Sequence, residues 1–223
     1  MTSKSALPAL RIDTGANRAS RKWTRREQAA RVLWALALPL FRLSPRPLWG
    51  WRRALLRLFG ARVGAGAHVY PDVRIAMPWN LSLGDNCAVG AQAILYALGP
   101  IHIADRATIS QYAHLCAGSH DWRDPAMPLT KPPIAIGEDA WVCADAFVGP
   151  GVAVGPGAIV GARCVLMSSC RAGAIMAGNP ARQIGRRDGG NGPCAARPGA
   201  DRPVKEGISS ASQPLQLQRG RRP

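Results

Sequence analysis

"IGEDAWVCADAFVGPGVAVGPGAIVGARCVL", residues 136–166, decides the fold. Its aliphatic residues Ile136, Val142, Val148, Val154, Val160 and Leu166 stand six apart. Towards the amino terminus the same beat returns in Val63, Val69 and Ile75, in Leu83, Val89 and Leu95, and in Ile103, Ile109 and Leu115. These positions form five groups of three. All fifteen hold Val, Ile or Leu, although only 44 of the 223 residues are of these types, so chance does not set the register. The residue after the beat is usually minute, as at Gly64, Gly84, Gly137 and Gly155, and the fifth position of each hexad is small, with Trp79 its one large occupant.

A helix needs apolar residues at spacings of three and four, and a strand needs them at two. A strict six fits neither. It fits a parallel β-helix, in which each hexad is one short strand plus a turn and three hexads make a triangular coil. Coils stack at strand spacing, about 4.8 Å, so each aliphatic lies on the one a coil earlier. Coil starts at 63, 83, 103, 136 and 154 exceed a repeat of eighteen by 2, 2, 15 and 0 residues, which puts every insertion at one corner of the prism. The long insertion reads as a loop extruded over 121–135, directly after His120. The expected organisation is all-β: a β-helix domain over 63–185, preceded by a helical segment over 23–62, with disordered tails over 1–22 and 186–223.

The net charge of +16 is unevenly placed. Residues 1–62 carry 14 basic and 2 acidic side chains, residues 63–185 carry 7 and 8, and residues 186–223 carry 8 and 3. A nucleic-acid binder puts its basic stripe on a folded face; here the core is neutral and the excess reads as solvated, arginine-rich ends. A membrane surface or a phosphate-bearing substrate suits the amino-terminal charge. "RVLWALALPLF" is too short for a membrane span, which needs about 20 residues, and is expected as a helix packed on the prism end or on a neighbouring subunit. "PLWGWRRALLRLFG" reads as a second helix stopped by Gly60. The six cysteines lack metal or redox spacing; Cys87, Cys116, Cys143, Cys164 and Cys170 read as small buried hydrophobes, with Cys194 in the tail, of a protein in a reducing cytoplasm.

The hexads, the loop after His120, "GEDAWV", "GPGVAVGPGAIVGA" and "AGNPAR" resemble the hexapeptide-repeat acyltransferases. "SPRPLWGWRRALLRLFGARVG", "MPWNLSLGD" and "GSHDWRDPAMPL" narrow the resemblance, over about Trp34 to Ile184, to the colanic-acid and exopolysaccharide O-acetyltransferases within them. The resemblance implies a left-handed parallel β-helix, a homotrimer, acetyl-CoA as co-substrate without a metal, and a sugar hydroxyl as acceptor. The cysteine usage points to the cytoplasm, and the basic charge of the amino-terminal helix offers peripheral contact at the inner face of the plasma membrane. Nucleic acid is not among the expected partners.

Acetyl transfer to a hydroxyl needs a base, and imidazole suits this near neutral pH. Of four histidines, His120 stands at the loop mouth and matches the family's catalytic histidine. His68 and His102 sit among turn residues, and His114 is expected at the surface. Trp141 matches the family tryptophan beside the pantetheine path, Ala144 and Ala162 match positions of close backbone approach, and Arg182 matches a basic residue near the nucleotide end of coenzyme A. Asp121 is a candidate for orienting the acceptor. Where relatives carry Thr-Lys this chain has Met167, Ser168 and Ser169; Arg171, Arg186 or Arg187 stand near enough in sequence to replace the lysine. Three other readings are a γ-class carbonic-anhydrase-like zinc protein using His114 and His120, a nucleophilic mechanism on Cys116, and a non-enzymatic trimeric scaffold.

Overall fold

A computed structural model describes residues 11–187 of the chain. The expected parallel β-helix is present, and the fifteen beats form three ladders of five. On the first face Val63, Leu83, Ile103, Ile136 and Val154 lie in register. On the second face the ladder is Val69, Val89, Ile109, Val142 and Val160. The third holds Ile75, Leu95, Leu115, Val148 and Leu166. All fifteen are buried, and at roughly 1.5–3 kcal/mol for each such side chain they form the main stabilising element of the prism. A sixth coil begins where Cys170 bridges to Val154 and Ala174–Ala177 pairs with the strand Ile159–Val160. It ends in an antiparallel hairpin with Arg182–Arg186.

The first face holds a second inward column that the six-residue count passes over. Leu81, Ile101, Ile134 and Val152 are each within 2% of full burial and stand two positions before the beat. The two-residue surpluses are therefore longer first-face strands, Leu81–Leu83 and Ile101–Ile103, with two inward side chains each. Corners turn at the fourth position of the hexad, where Asn86, Gln92, Arg106, Tyr112, Asp139, Asp145 and Arg163 take left-handed backbone with φ between 53° and 61°. Such a residue costs about 1–2 kcal/mol. It is held by backbone hydrogen bonds between coils, such as Arg106 N to Asp85 O and Arg163 N to Ala144 O, at 2.8 and 3.0 Å. At some second positions of the hexad tight stacking requires glycine. A Cβ on Gly155 would meet Ala172 N at 2.4 Å, and one on Gly137 would meet Pro156 N at 2.5 Å.

Backbone hydrogen bonds join successive coils in both directions, as Gly64 N to Leu83 O and Asn86 N to Ala65 O, and the first coil presents the carbonyls of Val63, Val69 and Ile75 at the open end of the prism. Two helices close it: α2 (Arg25–Arg42) and α3 (Trp49–Leu58), numbered after the short α1 (Thr14–Ala19). Their side chains cap the rim on all three faces. Arg57 Nε donates to Val63 O at 2.9 Å, Arg52 Nε to Val69 O at 2.6 Å and Trp34 Nε1 to Ile75 O at 2.9 Å. Arg53 adds a bond to Ala67 O. An open sheet edge invites pairing with another chain, and these donors remove that edge. The arginines expected to be solvated are here hydrogen-bonding caps.

Arg52 is fully buried without a carboxylate; its remaining donors reach Ser44 Oγ, Pro45 O and Arg46 O, and it stacks 4.6 Å above Trp49. Arg52→Ala strands several buried acceptors, each worth about 1–3 kcal/mol when left unpaired. The expected loss is about 3 kcal/mol or more in denaturant unfolding; a loss under about 1 kcal/mol would mean that water replaces the guanidinium.

Thr24 and Glu27 form a reciprocal capping box at the start of α2. Trp34, Ala37 and Phe41 face the prism. On its outer side Val32, Leu33, Leu36, Leu40 and Leu43 are 58–83% exposed, with exposed Arg25, Arg26 and Arg42 beside them. Among the described residues no helix is long and apolar enough to cross a membrane. Residues 11–22, expected to be disordered, contain α1, whose N-cap Asp13 accepts from Ala16 N. Residues 186–187, expected in the disordered tail, are ordered, Arg186 ending the last strand and Arg187 N donating to Gly173 O; residues 1–10 and 188–223, with Cys194, lie outside the described residues.

Candidate active site

The extruded segment is a hairpin rather than an open loop. Ser119–His120 pairs antiparallel with Leu129–Thr130. The excursion therefore begins before His120, and Ile134 and Ala135 already belong to the first face, in register with Ile101 and His102. The boundaries of 121–135 shift accordingly, because backbone pairing extends the insertion backwards while aliphatic stacking reclaims its end. His120 is carried on the hairpin, outside the rigid coil.

Two contacts fix the hairpin. His120 Nδ1 lies 2.7 Å from Met127 O. A carbonyl only accepts, so Nδ1 carries the proton and the neutral ring keeps its lone pair on Nε2. The same carbonyl accepts from Asn17 Nδ2 at 2.7 Å, and Asn17 also donates to Ala126 O at 2.6 Å. Met127 itself takes φ 44°, a conformation that persists where surrounding contacts dictate it. Asp13 N completes the strap by donating to Pro125 O. The amino-terminal segment thus holds the group that orients His120.

Asn17→Ala removes both straps while leaving His120 in place. It is expected to lower kcat about 10- to 100-fold, the order that a small misplacement of a reacting group costs, with the KM for acetyl-CoA unchanged. Steady-state kinetics in both substrates checks this; an unchanged kcat would make the strap dispensable.

His120 stands between two pockets. One, of about 220 Å³, is lined by Ile12, Thr14, Asn17, Arg18 and Met127. The other, of about 380 Å³, is lined by Lys22, Trp23, Arg31, Tyr96, Leu98 and Leu129, among others. Asp121, the candidate for orienting the acceptor, closes the hairpin locally: its Oδ1 accepts from Arg123 N at 3.0 Å. His114 is half-buried, not superficial, wedged edge-on between Tyr96 and Phe147. Burial lowers its pKa, and its buried Nε2 has no hydrogen-bond partner among the described residues. Cys116 donates to Gly118 O, which leaves a nucleophilic reading without a base at the thiol. Burial raises the pKa of Cys87, to about 11, and those of Cys143, Cys164 and Cys170.

The residues matched to the coenzyme A path lie elsewhere on the prism. Trp141 points outward from the second face, 46% exposed, and donates to Ser110 Oγ at 2.8 Å. It lines a pocket with Arg106, Thr108, Asp139 and Arg187. Arg106 forms a bidentate pair with Asp139, which lowers the Asp139 pKa. Arg187, one of the candidates to replace the missing lysine, donates to Asp139 O in this pocket. Ser169 has a structural task, accepting from Ala153 N, while Ser168 is exposed. Ala144 and Ala162 follow the strands Trp141–Val142 and Ile159–Val160 at one corner, one coil apart, with Ala162 exposed. Arg182 opens the last strand, exposed, with its guanidinium on Ala181 O.

His120 emerges at the edge between the third and first faces, and the second face lies opposite that edge. Within one chain the base and Trp141 are therefore not brought together. Nor do His114 and His120 converge: among the described residues no three His, Cys, Asp or Glu side chains gather as a metal site would need.

Residues 80–110 and 133–167 match the family model for the hexapeptide repeat of succinyl-transferase. The chain is 44% identical over 154 residues to the Escherichia coli K12 protein WcaF, named as a colanic acid biosynthesis acetyltransferase, covering 69% of this chain and 85% of that protein. Among solved structures it resembles galactoside acetyltransferase in complex with coenzyme A, with a TM-score of 0.70 and 21% identity over 75% of this chain and 86% of the other. It also resembles the Vibrio cholerae hexapeptide-repeat acetyltransferase VCA0836 in complex with acetyl coenzyme A, with a TM-score of 0.68 and 21% identity over 74% of this chain and 91% of the other.

Proposed function

The chain belongs to the hexapeptide-repeat acyltransferases, and on that premise we propose that it moves acetyl from acetyl-CoA to a sugar hydroxyl in exopolysaccharide assembly of the colanic-acid kind. The single observation that carries the reading is His120 with Nδ1–H committed to Met127 O, a tautomer that leaves Nε2 as a base. The identity to WcaF supports the acetyl donor and the polysaccharide context.

In this reading Nε2 takes the acceptor hydroxyl proton as that oxygen bonds the acetyl carbonyl carbon. The carbon–sulfur bond breaks, and the proton held on Nε2 passes to the departing thiolate. Transfer is direct, within a ternary complex. Ala144 and Ala162 leave backbone open to the pantetheine arm, Trp141 flanks it, and Arg182 and Arg187 are cations for its phosphates. Asp121 has its Oδ2 left for the acceptor.

The separation of His120 from the Trp141 face is the physical argument for a homotrimer: the edge of one copy meets the second face of the next, and each site draws on both. The outer stripe of α2, with arginines beside it, suits an anionic membrane surface and supports peripheral contact of a cytoplasmic enzyme with the inner face of the plasma membrane. Sedimentation with phosphatidylglycerol vesicles, lost in Leu36→Glu/Leu40→Glu, is the expected result; a pair of substitutions that instead dissociates the trimer would give the stripe to a second copy.

The activity test is acetyl-CoA-dependent release of free thiol with saccharide acceptors, beside mass spectrometry of the cell's polysaccharide with and without the protein. Unaltered acetylation and no thiol release would reject the reading. Absence of any coenzyme A binding would revive the scaffold.

A further inference from the structure

The larger pocket beside His120 has a charge pattern that a neutral sugar does not explain. Lys22 and Arg31 line it with Trp23 between the base and the start of α2. Lys131 Nζ lies 3.8 Å from the Trp23 ring centroid and Arg31 Cζ 5.1 Å from it. Lys131 Nζ also reaches Lys22 O at 3.3 Å. Two cations, Lys131 and Arg31, therefore flank one indole, and Lys22, its neighbour in the chain, lines the same pocket as Arg31. Among the described residues none of the three forms an ion pair with a carboxylate; the ion pairs present involve Arg106 and Arg163. Glu27 is near enough for Lys131 to help lower its pKa, but its carboxylate is committed chiefly to the Thr24 cap. No carboxylate lines the pocket.

A pocket lined by two cations and no carboxylate suits an anion bearing more than one charge. Lys22 is steered by Asn17 Oδ1 at 2.8 Å, so the residue that fixes the orienting carbonyl of His120 also fixes this ammonium. The reacting hydroxyl and the anion are thereby set at a defined spacing. We propose that the acceptor is a glycosyl phosphate or diphosphate, whose sugar hydroxyl meets His120 while its phosphoryl group lies between Lys22 and Arg31, with Trp23 and Tyr96 as walls for the sugar. This rests on the acetyl-transfer reading for the hydroxyl; the anion site is testable apart from it. A guanidinium bonds phosphate oxygens in pairs and an ammonium acts as a point charge, so the two complement each other here.

The probe is inorganic diphosphate, titrated by calorimetry into the full-length protein with coenzyme A saturating, so that the coenzyme's own phosphate contacts are filled. Binding is expected, weakened about 10-fold or more in Arg31→Gln and in Lys22→Gln. Diphosphate that fails to bind, or binds the variants as tightly as the parent, overturns the proposal. Uridine diphosphate and farnesyl diphosphate, compared as competitors against the acceptor, then separate a nucleotide-linked from a lipid-linked source: the stronger one identifies it. If diphosphate binds in this manner while no thiol is released with any acceptor, the acetyl-transfer reading fails and the anion site stands.

Discussion

His120→Ala is expected to lose acetyl transfer by about 10²- to 10⁴-fold, the usual contribution of a positioned general base. The assembly and its affinity for acetyl-CoA should be unchanged. The fold does not depend on this imidazole: His120 is exposed, on a two-residue strand of a hairpin that projects from the prism. Its one hydrogen bond, to Met127 O, shares that carbonyl with Asn17, which stays in place. The variant should therefore melt within a few degrees of the parent and bind coenzyme A equally by calorimetry, with only the rate of thiol release reduced. A folded variant that keeps full activity would remove His120 from the mechanism. Attention would then turn to His114, whose buried Nε2 lacks a partner among the described residues.

Ala162→Trp should block the coenzyme without disturbing the prism. Ala162 is exposed at the corner, outside the three aliphatic ladders, so a larger side chain meets solvent there and not the core. If the pantetheine arm runs along that corner, an indole fills its path. Overpacking of a fitted contact costs about 1–3 kcal/mol, about 5- to 150-fold in affinity. Equal coenzyme A affinity in variant and parent would mean that the slot lies elsewhere on the prism.

Much of this architecture is legible in the sequence because β-helix packing repeats. A position that must be inward in one coil must be inward in the next, so Val69, Val89, Ile109, Val142 and Val160 announce one another. The hidden column of Leu81, Ile101, Ile134 and Val152 was readable by the same logic, two residues before each first-face beat. What the repeat cannot carry is anything that occurs once. The rim caps by Trp34, Arg52 and Arg57 depend on a single packing of two helices against one coil. The left-handed corners fall on Asn, Gln, Arg, Tyr and Asp as well as Gly, so side-chain type alone does not mark them.

The site divides in the same manner. His120 was found from its place at the interruption of the beat, but its orienting partner is a backbone carbonyl, which every residue possesses. Asn17 was missed because residues 1–22 lack hydrophobic periodicity. That segment is ordered not by a core of its own but by hydrogen bonds to a hairpin about 109 residues away in sequence. The basic charge of the amino-terminal third, read as a solvated end, divides into helix caps at the prism rim and a cluster beside the base.

The central claim is a site shared between copies, with the base from one and the coenzyme slot from the next. The direct measurement is activity in mixed assemblies of His120→Ala and Ala162→Trp subunits, each strongly impaired alone at an acetyl-CoA concentration that saturates only the intact slot. In a cyclic trimer assembled at random from equal amounts, roughly a quarter of the sites pair an intact base with an intact slot. The account predicts thiol release recovering to about that fraction of the parent rate. Mixed trimers that form, as seen by native mass spectrometry, yet stay as inactive as either variant would contradict it.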